Sequence, residues 1–589
     1  MPRRALVAAL CALWLAPAAL SATPTAPVYD FKGRLIQTPF APVQAPPHLS
    51  KHRAVALFLA DRKVQNWLDR YPRKGRTTEA TFERSSSSWR VKIWWSKAGE
   101  IAMGRVDDVT GTVLEAWTGP QVAWKMARGY KGAFGGTKIN DPWIWGALSL
   151  AFLVGLADFR RPLSLRNLDL VVLLSFSVSL WFFNKGHVFT SAPLAYPPML
   201  YLIGRALWAG LRGRGTSGRP LWPAWVLLAG AVFLAGFRIG LNVEASNVID
   251  VGYAGVIGAD RIAHGQSPYA HFPTEDDLKP CGPKDAEGAI RDRIQTNGRC
   301  ESANDRGDTY GPVSYEAYLP GYLVEGWSGK WDDLPAAHLT SILWDLLCLG
   351  GIFLVGRRFG GLELAASLTF AWAAYPFTQY ASNSNTNDMI LPAFLIWGFW
   401  LAVSDFGRGA FAALAGWTKF AALLVAPLWI CYPSGRPRPR AVVGFVVATL
   451  AAFSILLLEP NPIHAARVFW DRTLGWQLGR ESPFSIWDWR QYHARGIPDL
   501  HRVQQALEAL LLAGAVVFPW APRWKSPLQL AALTAVLLLG FELVLTHWFY
   551  LYIPWFFAFS MLVTLAPGAV REREPVVEAE PQPAEALAA

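Results

Sequence analysis

The chain has 589 residues, 52% of them apolar and 29 of them tryptophan, with a formal net charge of +11. Runs of roughly 20 apolar residues recur along it, which points to a mainly α, polytopic membrane protein and excludes a string of soluble domains. In such a chain Lys and Arg in short loops report orientation, and nucleic acid is excluded as a partner for want of a solvated basic face. No P-loop, no GxGxxG following a strand, and no HExxH or CxxC spacing occurs.

Residues 1–22 open with Pro2-Arg3-Arg4, continue through an apolar run and end in small residues, the pattern of a signal peptide or an uncleaved N-terminal anchor. Either would export the adjoining segment. Residues 41–139 read as a small α+β extracytoplasmic domain. Helical periodicity covers Arg53 to Tyr71, and strand-like runs cover 79–84, 89–95, 101–106 and 112–117. With Val106-Asp107-x-x-Thr110-Gly111-x-Val113 this segment resembles the exported PepSY-type domains; its sequence carries no catalytic constellation, so an interaction or regulatory role is expected.

Residues 142–567 form the membrane domain. Basic clusters at Arg160-Arg161, Arg212-Gly-Arg214, Arg357-Arg358, Arg408, Arg436 to Arg440 and Arg523 alternate with apolar runs so that all fall on one, cytoplasmic, side. The loops 244–335 and 459–500 then lie outside. Only 24 residues, Gly409 to Tyr432, join two basic ends, too few for two full crossings, so a short hairpin broken near Trp417-Thr418-Lys419 is expected. Counting it as two, about 13 crossings result. The charged, Pro/Ala-rich tail 571–589 reads as disordered and cytoplasmic. Cys281 and Cys300 share the first external loop, where a disulfide would contribute roughly 3 kcal/mol in the chain-entropy account.

Chemistry concentrates at the external ends of the spans. Asp250 lies just past the mouth of a helix and before an amphipathic run, where a carboxylate can meet a lipid-tethered substrate; the structural alternative is a helix N-cap. Asp260, Arg261, Asp308 and Tyr310 come from the same loop, Asn385 and Asn387 from an Asn-rich linker, and Lys419 from the hairpin. Arg472, Gln477 and Arg480 come from the second loop, and His547 leads a Trp/Tyr-rich segment. Cations at the head-group level suit a phosphate. Asp345 and Glu542, inside spans, read as hydrogen-bond formers between helices, and Arg205 and Arg238 as snorkelling side chains.

With Asp308-Thr-Tyr310-Gly-Pro312, the Asn-rich linker, Thr418-Lys419 and Arg480-x-Ser-Pro-Phe484, residues 226–565 resemble the GT-C superfamily of membrane glycosyltransferases, in particular its family-87-type members. The resemblance implies a GT-C-like helical bundle with Asp250 as general base on the acceptor hydroxyl. It implies an inverting enzyme of the plasma membrane that uses a polyprenyl-phosphate sugar donor, with mannose as the working assignment. The other partners are membrane lipids and an envelope glycan or glycolipid acceptor. Asp260, Arg261, Asp308, Tyr310, Asn385, Asn387, Lys419, Arg472, Gln477, Arg480 and His547 would bind substrate. No cofactor or metal ligand is assigned, and a divalent cation is left open. Four spans and the PepSY-like domain precede Asp250, where that family usually has one span. A transporter or flippase of an anionic lipid-linked substrate, or a non-catalytic GT-C relative acting through the PepSY-like domain, are the alternatives.

Overall fold

The computed structural model describes residues 28–29, 32, 35–36, 46–95, 99–118, 132, 134–185, 188–216, 220–274, 278–282, 292–295, 297–302, 310–330, 333–475, 482, 484–487 and 498–566. The leader 1–22 and the tail 571–589 lie outside the described residues, as do Asp308, Gln477 and Arg480.

The strand-containing region is an antiparallel sheet of Arg76–Glu83 (β1), Ser88–Trp95 (β2), Gly99–Asp107 (β3) and Val113–Thr118 (β4), paired in sequence order. The single helix expected before it is two, Lys51–Ala60 (α1) and Arg62–Leu68 (α2). Asp61 divides them: it is extended, and its carboxylate accepts the Lys63 and Val64 amides, ending one helix and capping the next. Ala54, Phe58, Val64 and Leu68 pack with Val91, Ile93, Ile101 and Val106 in a core of their own. Asp108 pins the chain entering α1 by accepting the His48 and Leu49 amides (2.7 and 3.0 Å) and the Trp89 indole (2.9 Å). Met103 and Trp117, by contrast, join the core of the helical bundle, so the sheet is seated on it.

The rest of the chain is mainly helical. Pro142–Leu156 (α3), Leu165–Asn184 (α4), Val188–Leu194 (α5), Tyr196–Arg212 (α6) and Ala224–Ala245 (α7) lead to a loop region holding Asp250–Ala263 (α8), Pro268–His271 (α9), Pro312–Glu316 (α10) and Leu319–Glu325 (α11). Next come Pro335–Ala374 (α12), Pro376–Ser382 (α13), Ile390–Trp400 (α14), Asp405–Thr418 (α15), Ala426–Ile430 (α16) and Pro439–Phe453 (α17). After Pro462–Trp470 (α18), the helices His501–Val517 (α19), Pro527–Val544 (α20) and Ile553–Leu565 (α21) complete the bundle.

Among the described residues, five helices are long and apolar enough to cross a membrane: α4, α7, α12, Pro439–Leu458 and α20. Other runs expected to cross are shorter, 15 residues in α3, 17 in α6 and α19, and 13 in α21. The 40 residues of α12 are not one rod. Gly361 takes φ 75° and ψ −165°, a conformation open to glycine, and turns the chain back on itself. The Trp372 indole consequently donates to Asp345 at 2.9 Å, although 27 residues of straight helix would separate them by about 40 Å. Residues 335–360 and 362–374 are thus two antiparallel helices, as the sequence implies.

The hairpin between Gly409 and Tyr432 is also present. Arg408 donates from Nε to the Trp429 carbonyl (2.5 Å) and from Nη2 to the Tyr432 carbonyl (2.9 Å), bringing the two ends together while Lys419 sits at the far turn. Cys281 and Cys300 are disulfide-bonded, closing the two-stranded ribbon of Asp292–Ile294 (β5) and Cys300–Ser302 (β6) in the first loop.

Two arginines depart from the snorkelling expectation. Arg238 is 1% exposed and makes a two-pronged ion pair with Asp345, Nε to Oδ2 at 2.8 Å and Nη2 to Oδ1 at 2.7 Å, with Nη1 on Thr378 (3.1 Å). Arg205 is buried against Asp169 at 3.2 Å. Each found a carboxylate on another helix, which is cheaper than bending toward water. Removing one member of such a pair strands a buried charge at roughly 3–5 kcal/mol, whereas replacing both with apolar groups is often neutral. Arg238→Met should therefore lower the melting temperature of the purified protein sharply, and Arg238→Met combined with Asp345→Leu should restore most of it.

Candidate functional site

The break in the hairpin defines the site. Lys419 has extended backbone (φ −142°, ψ 129°) between α15 and the 3-10 turn Phe420–Val425. Its ammonium, on a side chain 8% exposed, lies 2.5 Å from Asp388 Oδ1. Asp388 belongs to the linker between α13 and α14 and is fixed from two further directions. The Trp555 indole donates to Oδ1 (3.1 Å) and the Thr386 hydroxyl to Oδ2 (2.6 Å). Around the ammonium stand Tyr552 and Trp555, stacked at 4.3 Å and each 4.8 Å from Nζ, and Tyr310 at 5.3 Å. Three separate segments thus enclose the hairpin's one cation in a carboxylate and three aromatic faces.

The neighbouring linker residues are polar and buried. Asn387 donates to Ser314 Oγ at 2.6 Å, while its Oδ1, fully enclosed, has no hydrogen-bond partner among the described residues. A buried acceptor without a partner costs about 1–3 kcal/mol. The position is therefore suited to a donor brought by a ligand. Asn385 bonds to the segment leading into α8. That helix starts at Asp250, half-buried, whose Oδ1 accepts the Val251 amide at 2.8 Å. The N-cap position belongs to Ile249, so Asp250 is the first residue of the helix, where the helix field favours a carboxylate.

The second loop reaches the same end. In α18, Phe469 packs edge-on to Tyr269 (5.1 Å) and Phe420 (6.5 Å), next to Lys419 in sequence, and Tyr269 donates to the Tyr310 carbonyl (2.9 Å). Arg472, half-buried, lies three residues beyond Phe469 in the turn Asp471–Gly475. His547 is held by Ser482 Oγ at 2.8 Å and packs edge-on to Phe484 at 5.4 Å, anchoring the second loop to the chain before Tyr552.

Asp260 and Arg261 are placed differently. Arg261 donates to Asp260 (2.6 Å), to the His271 carbonyl (2.9 Å) and, through both terminal nitrogens, to Glu301; Asp260 also receives Arg299 (3.2 Å) and the Tyr322 hydroxyl (2.7 Å). Both are buried, and Glu301 neighbours Cys300. Their charges are spent in tying the disulfide ribbon to α8, which departs from the substrate contact expected of them. Among the described residues no group of three or more potential metal ligands occurs.

Several participants are not legible from spacing. Asp388 and Trp555 complete the Lys419 enclosure, yet Trp555 sits in an apolar helix like many other tryptophans, and Tyr552 reads as an interfacial aromatic. Glu542, fully buried, accepts the Trp548 indole at 3.1 Å. Glu316 in α10 makes no ion pair or hydrogen bond among the described residues, and burial pushes its carboxyl up to about 7.

The fold is that of a mainly helical protein with helices compatible with membrane association and a small strand-containing N-terminal region. No protein-family model, curated protein or solved structure matches the chain.

The pairing of Lys419 changes what its removal does. Lys419→Met leaves Asp388 buried without its cation and should destabilise the protein by roughly 3–5 kcal/mol. Adding Asp388→Asn should recover most of that stability, read as the melting temperature.

Glu316 supplies a pH effect. Its folded value is about 7 against an ordinary 4.5, so the native state holds a proton that the unfolded chain gives up sooner. Its contribution is full below pH 4.5 and is lost as pH rises through about 7. Glu316→Gln should flatten the stability profile in that window, measured by melting at half-unit pH steps.

Proposed function

We propose that the chain is an inverting glycosyltransferase of the plasma membrane that moves a sugar from a polyprenyl-phosphate donor to an envelope acceptor on the extracytoplasmic face. The observation that carries this reading is the enclosure of Lys419. A cation held by Asp388, Tyr310, Tyr552 and Trp555 stands at the end of the bundle that both large loops and the Asp250 helix reach. The turns at Arg357-Arg358 and Arg408 lie away from it, consistent with a cytoplasmic face there.

On this reading the polyprenyl chain stays in the bilayer and the phosphate enters beside Lys419, competing with Asp388 for its ammonium. Arg472 offers a second cation from the other loop. The aromatic faces suit a sugar ring, and Asn387 Oδ1 suits one of its hydroxyls. Asp250 takes the proton of the acceptor hydroxyl as that oxygen attacks the anomeric carbon opposite the phosphate. The carbon–oxygen bond to phosphate breaks, and polyprenyl phosphate leaves with both electrons of that bond, its charge offset by the cations. The anomeric centre inverts because one displacement occurs. The N-terminal sheet, PepSY-like on this reading, has an interaction role.

The test is transfer from radiolabelled polyprenyl-phosphate sugars, mannose first, by purified protein in proteoliposomes. Asp250→Asn keeps shape and helix-start hydrogen bonding but not basicity, so a purely structural Asp250 predicts spared turnover. As the base, its loss costs about 10²- to 10⁴-fold. We expect Asp250→Asn to fold, bind donor and transfer at less than about a hundredth of the unsubstituted rate; near-normal turnover would remove Asp250 from the mechanism.

A further inference from the structure

Helix α8 is fitted to its neighbours by glycines. Gly252, Gly255 and Gly258 recur every third residue, on one face. A Cβ at Gly252 would overlap the Asn385 carbonyl, at Gly255 the ring of Tyr318, and at Gly258 the ring of Tyr315. The first contact falls two residues after Asp250 and is made by backbone, which cannot swing aside.

Asn385 grips the same segment a second time with its side chain. Nδ2 donates to Ser246 Oγ (2.9 Å) and to the Asn247 carbonyl (3.1 Å), and Oδ1 accepts from Asn242 (2.9 Å). Its carbonyl accepts the Tyr318 hydroxyl (3.1 Å), and His338 Nδ1 lies 2.9 Å from Ser246 Oγ, bracing the same serine. Asn385 is fully buried and takes φ 52°, left-handed backbone uncommon outside glycine. A non-glycine residue in that region is held there by its surroundings, and such residues cluster at functional sites. Its amide holds the chain before Asp250, and its carbonyl sets the helix after it.

We infer that Asn385 is a positioning residue for Asp250 and does not itself bind substrate. Asn385 and Gly252 together fix where the first turn of α8 sits, and with it the carboxylate. Both of its amide hydrogens and its side-chain oxygen are committed within the protein, which leaves no donor for a sugar. The inference rests on the reading of Asp250 as the base, since positioning matters to catalysis only if that carboxylate reacts.

The experiment compares Asn385→Ala and Gly252→Ala with the unsubstituted protein by hydrogen–deuterium exchange over residues 250–254 and by transfer kinetics. Asn385→Ala removes the amide grip. Gly252→Ala leaves every hydrogen bond of Asn385 available and pushes the helix off the carbonyl, so it tests the same device if the first variant folds poorly. Exchange in the first turn of α8 should rise about tenfold or more in both. The kcat should fall about 10- to 100-fold, because misplacement by about 1 Å can cost that much. Donor affinity and acceptor KM should stay within about threefold. Unchanged exchange at 250–254 in both variants overturns the inference, and so does a loss that appears in KM with kcat spared, which would make Asn385 a substrate ligand. If the unsubstituted protein transfers no sugar, the glycosyltransferase reading fails, while the exchange data still decide whether Asn385 holds the helix.

Discussion

The structure depends on the need of a buried polar linker to have its hydrogen bonds made. Asn383, Ser384, Asn385, Thr386, Asn387 and Asp388 are each 0–1% exposed. Enclosed without partners, such groups would cost about 1–3 kcal/mol apiece, more for the carboxylate. The linker therefore recruits its surroundings: Asn242 and Ser246 from the end of α7, Ser314 from α10, Tyr318 beside it, Lys419 from the hairpin and Trp555 from α21. Segments far apart in the chain, from α7 to α21, meet because this one strip must be satisfied. The Asp250 helix is docked on the same strip, so its place is inherited from it.

Much of this plan is legible in the sequence where length and charge act as arithmetic. Twenty-four residues between two basic ends force a hairpin, and Lys419 then falls at its turn. The four strands, the hairpin of α12 and the Cys281–Cys300 pair arise from alternation, basic turns and a shared polar loop. Partner choice is not legible. Arg238 and Arg261 look alike as isolated cations, yet one bridges two helices and the other binds a loop carboxylate. Asp388 comes after five residues of equally polar linker, and nothing local shows that it faces Lys419. The Asp61 cap that splits the first helix is a common residue whose effect depends on the backbone around it.

A cation already paired with a carboxylate differs from a cation awaiting a phosphate. The Lys419–Asp388 pair is neutral as a unit and is walled by aromatic faces. In the proposed reaction, an arriving phosphate would be recognised by how well it replaces Asp388, a demand on geometry as much as on charge. Asn387 Oδ1 adds to that demand, since a ligand with a hydroxyl in the right place relieves an existing cost.

The Arg238–Asp345–Trp372 cluster has a consequence for how the chain is made. Its three groups lie on α7 and on both arms of α12: the Arg238–Asp345 pair needs α7 and the first arm, and the second arm adds the Trp372 indole. A nascent helix released alone into lipid would carry Arg238 or Asp345 bare, a state far costlier than the finished pair. If α7 and α12 cross a membrane, biogenesis would keep α7 in or beside the insertion machinery until the first arm of α12 has been synthesised and can enter with it. The order of synthesis, α7 first and the α12 hairpin only after the whole first loop, makes the intervening disulfide loop the interval over which that wait is held.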